Sequence, residues 1–439
     1  MGPGSAHPHS SSPKLRATGG PPSLPPIGPR LRSDFSSEIR KRPLNGVFDF
    51  DAVLDRRGTG AWKWEFCDKV LGDPDIIPMW VADMDFAVPP AVAAAVAERA
   101  AHPAYGYHYV PPSFWEAIVL WLKKRWKWDV EREWLLRSPG VVTALNLCLK
   151  AFTQPGDGVI VQTPVYYPFF AAVEENKRTL LRNSLRFEGG RWGMDFEDLE
   201  RKAGQRARVL VLCSPHNPVG RVWRRDELER LADICLAHDL LVISDEIHGD
   251  LVLPGREHVP FASLSEAAAA RTVTLIAPSK TFNLAGLSTS AIVASNPGLR
   301  DRLRREHHAA GLTLPNIFGA TATEAAYRGG GEWLDALLAY LAANQDFAAR
   351  FFAERLPEIA FLKSEGTYLA LLDARALGFD QKSLNEFFLR RAKVYFSDGS
   401  LFGDELLGFE RLNFACPRPL LARALERVEG AVRTLGRDR

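Results

Sequence analysis

Five short apolar runs constrain what this chain can fold into: GVIVQ at 158–162, RVLVLC at 208–213, LLVIS at 240–244, TVTLIA at 272–277 and SAIVAS at 290–295. Each is dense in Val, Ile and Leu and lacks the polar alternation of a strand with one wet face. Each therefore reads as a strand covered on both sides. The cover has to come from helices, and helical patterns lie among the runs. RDELERLADICLAHD (225–239) separates two of them, VVTALNLCLKAF (141–152) precedes the first, and SFWEAIVLWLKKRW (113–126) is amphipathic with aromatic anchors. PPAVAAAVAERAA (89–101) opens on prolines, which suit a first helical turn, and continues in alanine. Strands alternating with helices predict an α/β fold on a mostly parallel sheet.

Past about residue 300 the pattern changes to a long helix over 332–356, strand-like GTYLALLD and FERLNFAC, and a terminal helix in PLLARALERVEGAVRTLG. That is the pattern of a smaller α+β domain. The 439 residues leave room for about two or three domains. No internal repeat is visible. The first 43 residues are rich in Pro, Gly and Ser and nearly free of acids, so they are expected to be disordered, and folding to begin near Asn45.

With a net charge of +2, the chain gives no reason to expect nucleic acid or a membrane surface as partner, and a small molecule is expected instead. The 5 cysteines (Cys67, Cys148, Cys213, Cys235 and Cys416) show no CxxC spacing, so neither a disulfide framework nor a zinc site is suggested. No apolar stretch approaches the about 20 residues of a membrane span, and no signal-peptide core is visible; cytoplasm is the expected location.

SDEIHGDLV (244–252) sets Asp245, Glu246, His248 and Asp250 directly behind an apolar run. A metal site, a hydrolase base and a cofactor clamp are all open on that stretch alone. Open α/β sheets bind ligands beyond the carboxyl ends of their strands, so the residues just past each run decide between them. TPVYYPFF brings Tyr166 and Tyr167, SPHNPVG brings Asn217, LLVIS leads into Asp245 and His248, and TVTLIA leads into Ser279 and Lys280. A lysine can form a Schiff base with an aldehyde cofactor, and an aromatic face can cover a planar ring. A carboxylate keeps a pyridine nitrogen protonated, and an amide can donate to a phenolate oxygen. These are the requirements of pyridoxal 5′-phosphate (PLP) chemistry. No metal is needed. The HPH at 7–9 is too isolated to hold one, no GxSxG elbow supports a serine hydrolase, and RGGGE (328–332) comes after a helix rather than a strand.

The ordered motifs SPHNPVG, SDEIHGD, PSKTFNLAG and RLNFACPR, with PMWVADMDF (78–86) and YGYHYVPPSFWEAI (105–118), resemble the fold-type I PLP enzymes, within them the MalY/PatB-type carbon–sulfur lyases. The resemblance runs from about Phe48 to Leu435. It implies a large PLP-binding domain over 87–300 and a small domain formed by 44–86 and 301–439, with 1–43 as the tail. It implies that Lys280 carries the cofactor and later moves the Cα proton, and that Asp245 pairs with the pyridine nitrogen. Asn217 and His248 lie on the phenolic side, and Tyr166 stacks on the ring, with Tyr167 as the rival. Gly140, Val141 and Val142 hold the phosphate on a helix N-terminus, Ser279 adds a hydroxyl, and Tyr107 reaches the phosphate from the neighbouring subunit of a homodimer. Arg411 takes the substrate carboxylate as a bidentate pair, with Asn413 in support. Glu246 and Asp250 read as supporting or solvated groups. One departure stands out: where many aminotransferases place an arginine eight residues after the lysine, this chain has Ser288. The implied reaction is β-elimination from cystathionine, cysteine or another cysteine S-conjugate to thiol, pyruvate and ammonia. Transamination of an amino acid on the same residues is the alternative, and a PLP-fold protein with a mainly regulatory binding role is a second.

Overall fold

The computed structural model describes residues 48–435; the expected disordered tail, 1–43, lies outside the described residues. Each apolar run forms a strand. The main sheet has seven strands: β1 (Leu135–Ser138), β2 (Gly158–Thr163), β3 (Thr179–Ser184), β4 (Ala207–Cys213), β5 (Leu241–Asp245), β6 (Thr272–Ile276) and β7 (Ser290–Val293), in the spatial order β1-β7-β6-β5-β4-β2-β3. Neighbours from β3 through β6 pair in parallel. β7 runs against both of its neighbours. A parallel return needs a full crossover, usually a helix. The connection 277–289 instead holds only the short helix Pro278–Thr281 and the single turn Ala285–Leu287. The lysine turn thus replaces a crossover, and the chain comes straight back.

Burial explains the unalternating sequence. Val159 and Val161 of β2 pack on one side with Val141, Leu145 and Leu149 of helix α1 (Val141–Phe152). Ile160, between them, packs on the other side with Leu228, Leu231 and Cys235 of helix α2 (Arg225–Ala237). Successive side chains of a strand point to opposite faces, and here both faces are dry. Each fully buried Val, Leu or Ile contributes roughly 1.5–3 kcal/mol of transfer free energy, so the sheet carries much of the stability.

A second, antiparallel sheet comprises β8 (Ala360–Leu362), β9 (Leu369–Asp373), β10 (Ser397–Asp398) and β11 (Phe409–Asn413), ordered β8-β9-β11-β10. The long helix α3 (Gly331–Arg355) and the last helix α4 (Arg418–Leu435) share a core with it: Leu337, Leu341 and Phe352 meet Leu372, Leu412, Leu421 and Leu425. The early segment reaches this region too, since Ile77–Pro78 pairs in parallel with Val394–Tyr395. The early chain and the late chain therefore meet, which brings residues 80–86 beside Arg411.

Candidate active site

β5 delivers Asp245 at its carboxyl end, and the turn after β6 delivers Lys280. Asp245 is only 5% exposed, and its Oδ1 accepts from the Ile247 N–H at 3.1 Å. Burial pushes its pKa up to about 7, against the pull of that N–H and of Lys280. Among the described residues no cation lies within ion-pair distance of it. Lys280 donates from Nζ to the Ala82 carbonyl at 2.7 Å. Burial pulls its pKa down to about 8, while Asp83 and Asp245 oppose the shift. His248 is buried, and burial holds it down at about 3, so the ring is neutral; its Nδ1 has no partner among the described residues.

Tyr166 comes just after β2 and is half-buried, its hydroxyl pushed up to about 12 chiefly by burial, whereas Tyr167 is exposed. Asn217 comes just after β4. Its carbonyl accepts from the Tyr166 N–H at 3.1 Å and its Oδ1 accepts from Arg411 Nη1 at 3.0 Å. Gly140 is the N-cap of α1, and a Cβ there would meet nothing within 4 Å. The N–H groups of Val141 and Val142 open the helix without intrahelical acceptors, which suits an anion. Ser279 is half-buried beside Lys280, its carbonyl accepting from the Leu284 N–H at 3.0 Å. Ser288 is exposed.

Arg411 on β11 is buried, yet among the described residues no carboxylate lies within ion-pair distance of it. Its Nη2 donates to the Trp80 carbonyl at 3.0 Å and to Ser397 Oγ at 2.9 Å, its Nε is unpartnered, and the guanidinium lies 4.6 Å from the Phe402 ring centroid. Burial pulls its pKa down to about 10, still leaving it charged at neutral pH. A buried charge without a counter-charge is expensive, so the guanidinium suits an incoming carboxylate.

Asn413 has a different task from the expected support of a ligand. Its Nδ2 donates to the Val81 and Asp83 carbonyls at 2.7 and 2.9 Å, and its Oδ1 accepts from the Ala415 N–H at 2.8 Å. It helps hold a strap, residues 80–86, whose carbonyls are gripped along its length. Besides Lys280, Ala82 O accepts from Tyr368 Oη at 3.1 Å; Met84 O accepts from Arg56 and Asn283, both at 2.9 Å, and Phe86 O from Asn283 at 3.0 Å. The strap's own Asp85 side chain accepts from Lys63 at 2.7 Å, Arg56 at 2.8 Å and the Trp64 indole at 2.9 Å.

Glu246 and Asp250 are both buried rather than solvated. Glu246 is bonded to Ser244 Oγ at 2.7 Å, His258 at 2.9 Å and the Phe261 N–H at 3.0 Å. Asp250 accepts from the Trp121 and Trp126 indoles at 3.0 and 2.7 Å and from Thr281 Oγ1, next to Lys280, at 2.9 Å. Among the described residues no group of three or more His, Cys, Asp or Glu side chains could hold a metal ion. Sequence reasoning missed Ser397, Tyr368 and the Ala82 carbonyl. PMWVADMDF signalled the strap as a motif; nothing local marked the other two.

The protein's own bonding leaves His248 Nδ1 and Arg411 Nε without a partner and the Asp245 carboxylate without a counter-charge, and all three residues lie in the electrostatic surroundings of Lys280. An aldehyde cofactor with a basic ring nitrogen and a phosphate fits that set: lysine for the aldehyde, buried acid for the nitrogen, Tyr166 for the ring face, and the opening of α1 for the anion. The fold is that of the fold-type I PLP-dependent transferases. The family model for aminotransferase class I and II matches residues 74–428. Cystathionine beta-lyase PatB of Bacillus subtilis (strain 168) is 43% identical over 390 residues, covering 88% of this chain and 100% of that protein. Among solved structures, cystalysin from Treponema denticola, which contains a pyridoxal 5′-phosphate cofactor, is 38% identical with a TM-score of 0.86, covering 89% of this chain and 100% of that one. The PLP-bound C-S lyase from Staphylococcus hominis is 33% identical with a TM-score of 0.82, covering 88% and 98%. The chain belongs to the aminotransferase class I and II family.

Proposed function

We propose that the protein is a PLP-dependent carbon–sulfur β-lyase that cleaves a cysteine S-conjugate, with one water, to a thiol, pyruvate and ammonia. The observation that carries this reading is the buried Arg411, without a carboxylate of its own and tied through Asn217 to the same pocket as Lys280 and Asp245. It is supported by the relatives' names, which are those of cystathionine and C–S lyases. PLP, when bound, supplies an electron sink that stabilises negative charge at the substrate Cα.

This chain's residues do the rest. Lys280 would hold the aldehyde cofactor and, as a free amine, would take the proton from Cα; its lowered pKa leaves a useful neutral fraction near pH 7. Asp245 would hold the ring nitrogen protonated, the charge that a lone buried carboxylate lacks. Asn217 and neutral His248 would stand at the phenolic side, Tyr166 would cover the ring, and Gly140, Val141, Val142 and Ser279 would hold the phosphate. Arg411 fixes the substrate carboxylate, which orients the Cα proton toward Lys280. The carbon–sulfur bond then breaks with its electron pair on sulfur. Thiols ionise near pH 8.5, so the leaving group needs little help from an acid.

Tyr107 is 94% exposed in this chain, which supports its reading as the residue that completes the phosphate site of a second copy in a homodimer. Five buried, unpaired cysteines suit the reducing cytoplasm, and no described helix is long and apolar enough to cross a membrane. The test is to load the protein with PLP, add L-cystathionine, and assay thiol and pyruvate. Stoichiometric release of both supports the lyase. Amino transfer to an added 2-oxo acid without thiol release would replace it with the transaminase.

A further inference from the structure

Beside Arg411 lies a group of aromatic rings that the chemistry above does not use. The Trp80 ring centroid stands 5.0 Å from Phe66, 5.3 Å from Tyr395 and 6.4 Å from Trp62, and Phe66 stacks on Tyr395 at 5.7 Å with an interplanar angle of 18°. This is not core. Trp62 is 58% exposed and the other three rings are half-buried, whereas nearby Phe396 and Phe388 are sealed. The group is continuous with the carboxylate site. Trp80 supplies the carbonyl that holds Arg411, and Ser397, two residues beyond Tyr395, supplies the hydroxyl. On the other side of Arg411 the exposed Tyr167 stands 6.0 Å from the Phe402 ring, over which the Arg411 guanidinium lies at 4.6 Å, so aromatic surface borders the carboxylate site there too. Two of the cations on the same segment are engaged, Lys63 on Asp85 at 2.7 Å and Arg57 on Asp68 at 3.5 Å, while Lys69 is exposed.

Resting on the lyase reading, we propose that Trp80, Phe66, Tyr395 and Trp62 form the subsite for the sulfur substituent, and that the preferred substrates are cysteine S-conjugates whose leaving thiol carries a flat, uncharged ring. An aromatic substituent gains offset or edge contacts with such faces. The leaving half of cystathionine carries its own ammonium and carboxylate, and these rings offer the carboxylate no charge, only the neutral Tyr395 hydroxyl and Trp62 indole N–H.

The test separates binding from turnover by using unreactive analogues that lack the amino group. Calorimetry on the PLP-loaded protein compares 3-(benzylthio)propanoate with 3-(methylthio)propanoate. The benzyl analogue is expected to bind roughly 10-fold tighter or more, from the added apolar area. That ratio is expected to fall roughly 2- to 10-fold in Tyr395→Leu and in the surface variant Trp62→Ala, the scale of one aromatic contact. Turnover of S-benzyl-L-cysteine should then exceed that of L-cystathionine in kcat/KM. Equal binding of the two analogues, or a ratio unmoved in both variants, overturns the subsite whatever the turnover. An intact binding preference with no thiol from any conjugate upholds the subsite and sinks the lyase reading instead.

Discussion

Replacing Asp245 by Asn should make the cofactor-free protein more stable at pH 8 and less stable at pH 4. The carboxyl is 5% exposed and burial raises its pKa from 3.8 to about 7. The folded state therefore binds more protons than the unfolded chain between those two values. That fixes the sign: the wild-type protein loses stability as pH rises through that window, and the loss is complete above about 7. A shift of this size corresponds to about 4 kcal/mol. Asn keeps the acceptor for the Ile247 N–H, but its Nδ2 gains no partner, a penalty of about 1–3 kcal/mol. The net expectation is about 1–3 kcal/mol in favour of Asn at pH 8, and a similar amount against it at pH 4, where both side chains are neutral. Urea unfolding followed by tryptophan fluorescence, on protein stripped of PLP, measures the difference at each pH. PLP should reverse the order at pH 8, because only the wild type gains a charge partner for the ring nitrogen. A variant-to-wild-type difference that does not change between pH 4 and pH 8 would refute the idea that an uncompensated charge is buried there.

Arg411→Lys loses the planar fork and its bonds to Asn217, Trp80 and Ser397, so kcat/KM should fall by about 100-fold or more while the visible spectrum of the bound cofactor stays in place. Lys280→Ala should bind PLP without covalent capture: borohydride treatment followed by mass spectrometry should add the cofactor mass to the wild type and not to the variant. Burial lowers the Lys280 pKa to about 8, so kcat should climb with pH to a plateau with its midpoint near that value rather than near 10.5; a pH profile of turnover reads it directly. Asp250→Ala strips the acceptor from two indoles and from Thr281, and should cost about 3–5 kcal/mol in urea unfolding.

The sheet was legible because its strands are wrapped on both faces, so each announces itself as a solid apolar run. β7 looked like the rest, and its reversed direction was not readable, since direction depends on how the connection 277–289 returns and not on the strand's composition. The residues after each strand were legible because topology alone places strand ends on one edge. What stayed hidden was bonding across long separations. Glu246 and Asp250 read as supporting or solvated groups because all their partners but Ser244 are 12 to 129 residues away. Asn413 looked free for a ligand because the strap that uses both its amide hydrogens lies 330 residues upstream. Local pattern carries periodicity and turn chemistry; it carries no register between distant segments.

The strap at 80–86 is gripped along its backbone carbonyls by Arg411, Asn413, Lys280, Tyr368, Arg56 and Asn283, and also through the side chains of Trp80, Asp83 and Asp85. Apart from Trp80, Asp83 and Asp85, such a stretch is specified by spacing more than by side-chain identity. Val81→Ile leaves every one of those oxygens where it was, whereas one extra residue inserted after Ala82 would carry each later oxygen one step past its donor. Away from Trp80, Asp83 and Asp85, drift in this part of the chain should therefore accumulate as substitutions and never as changes of length.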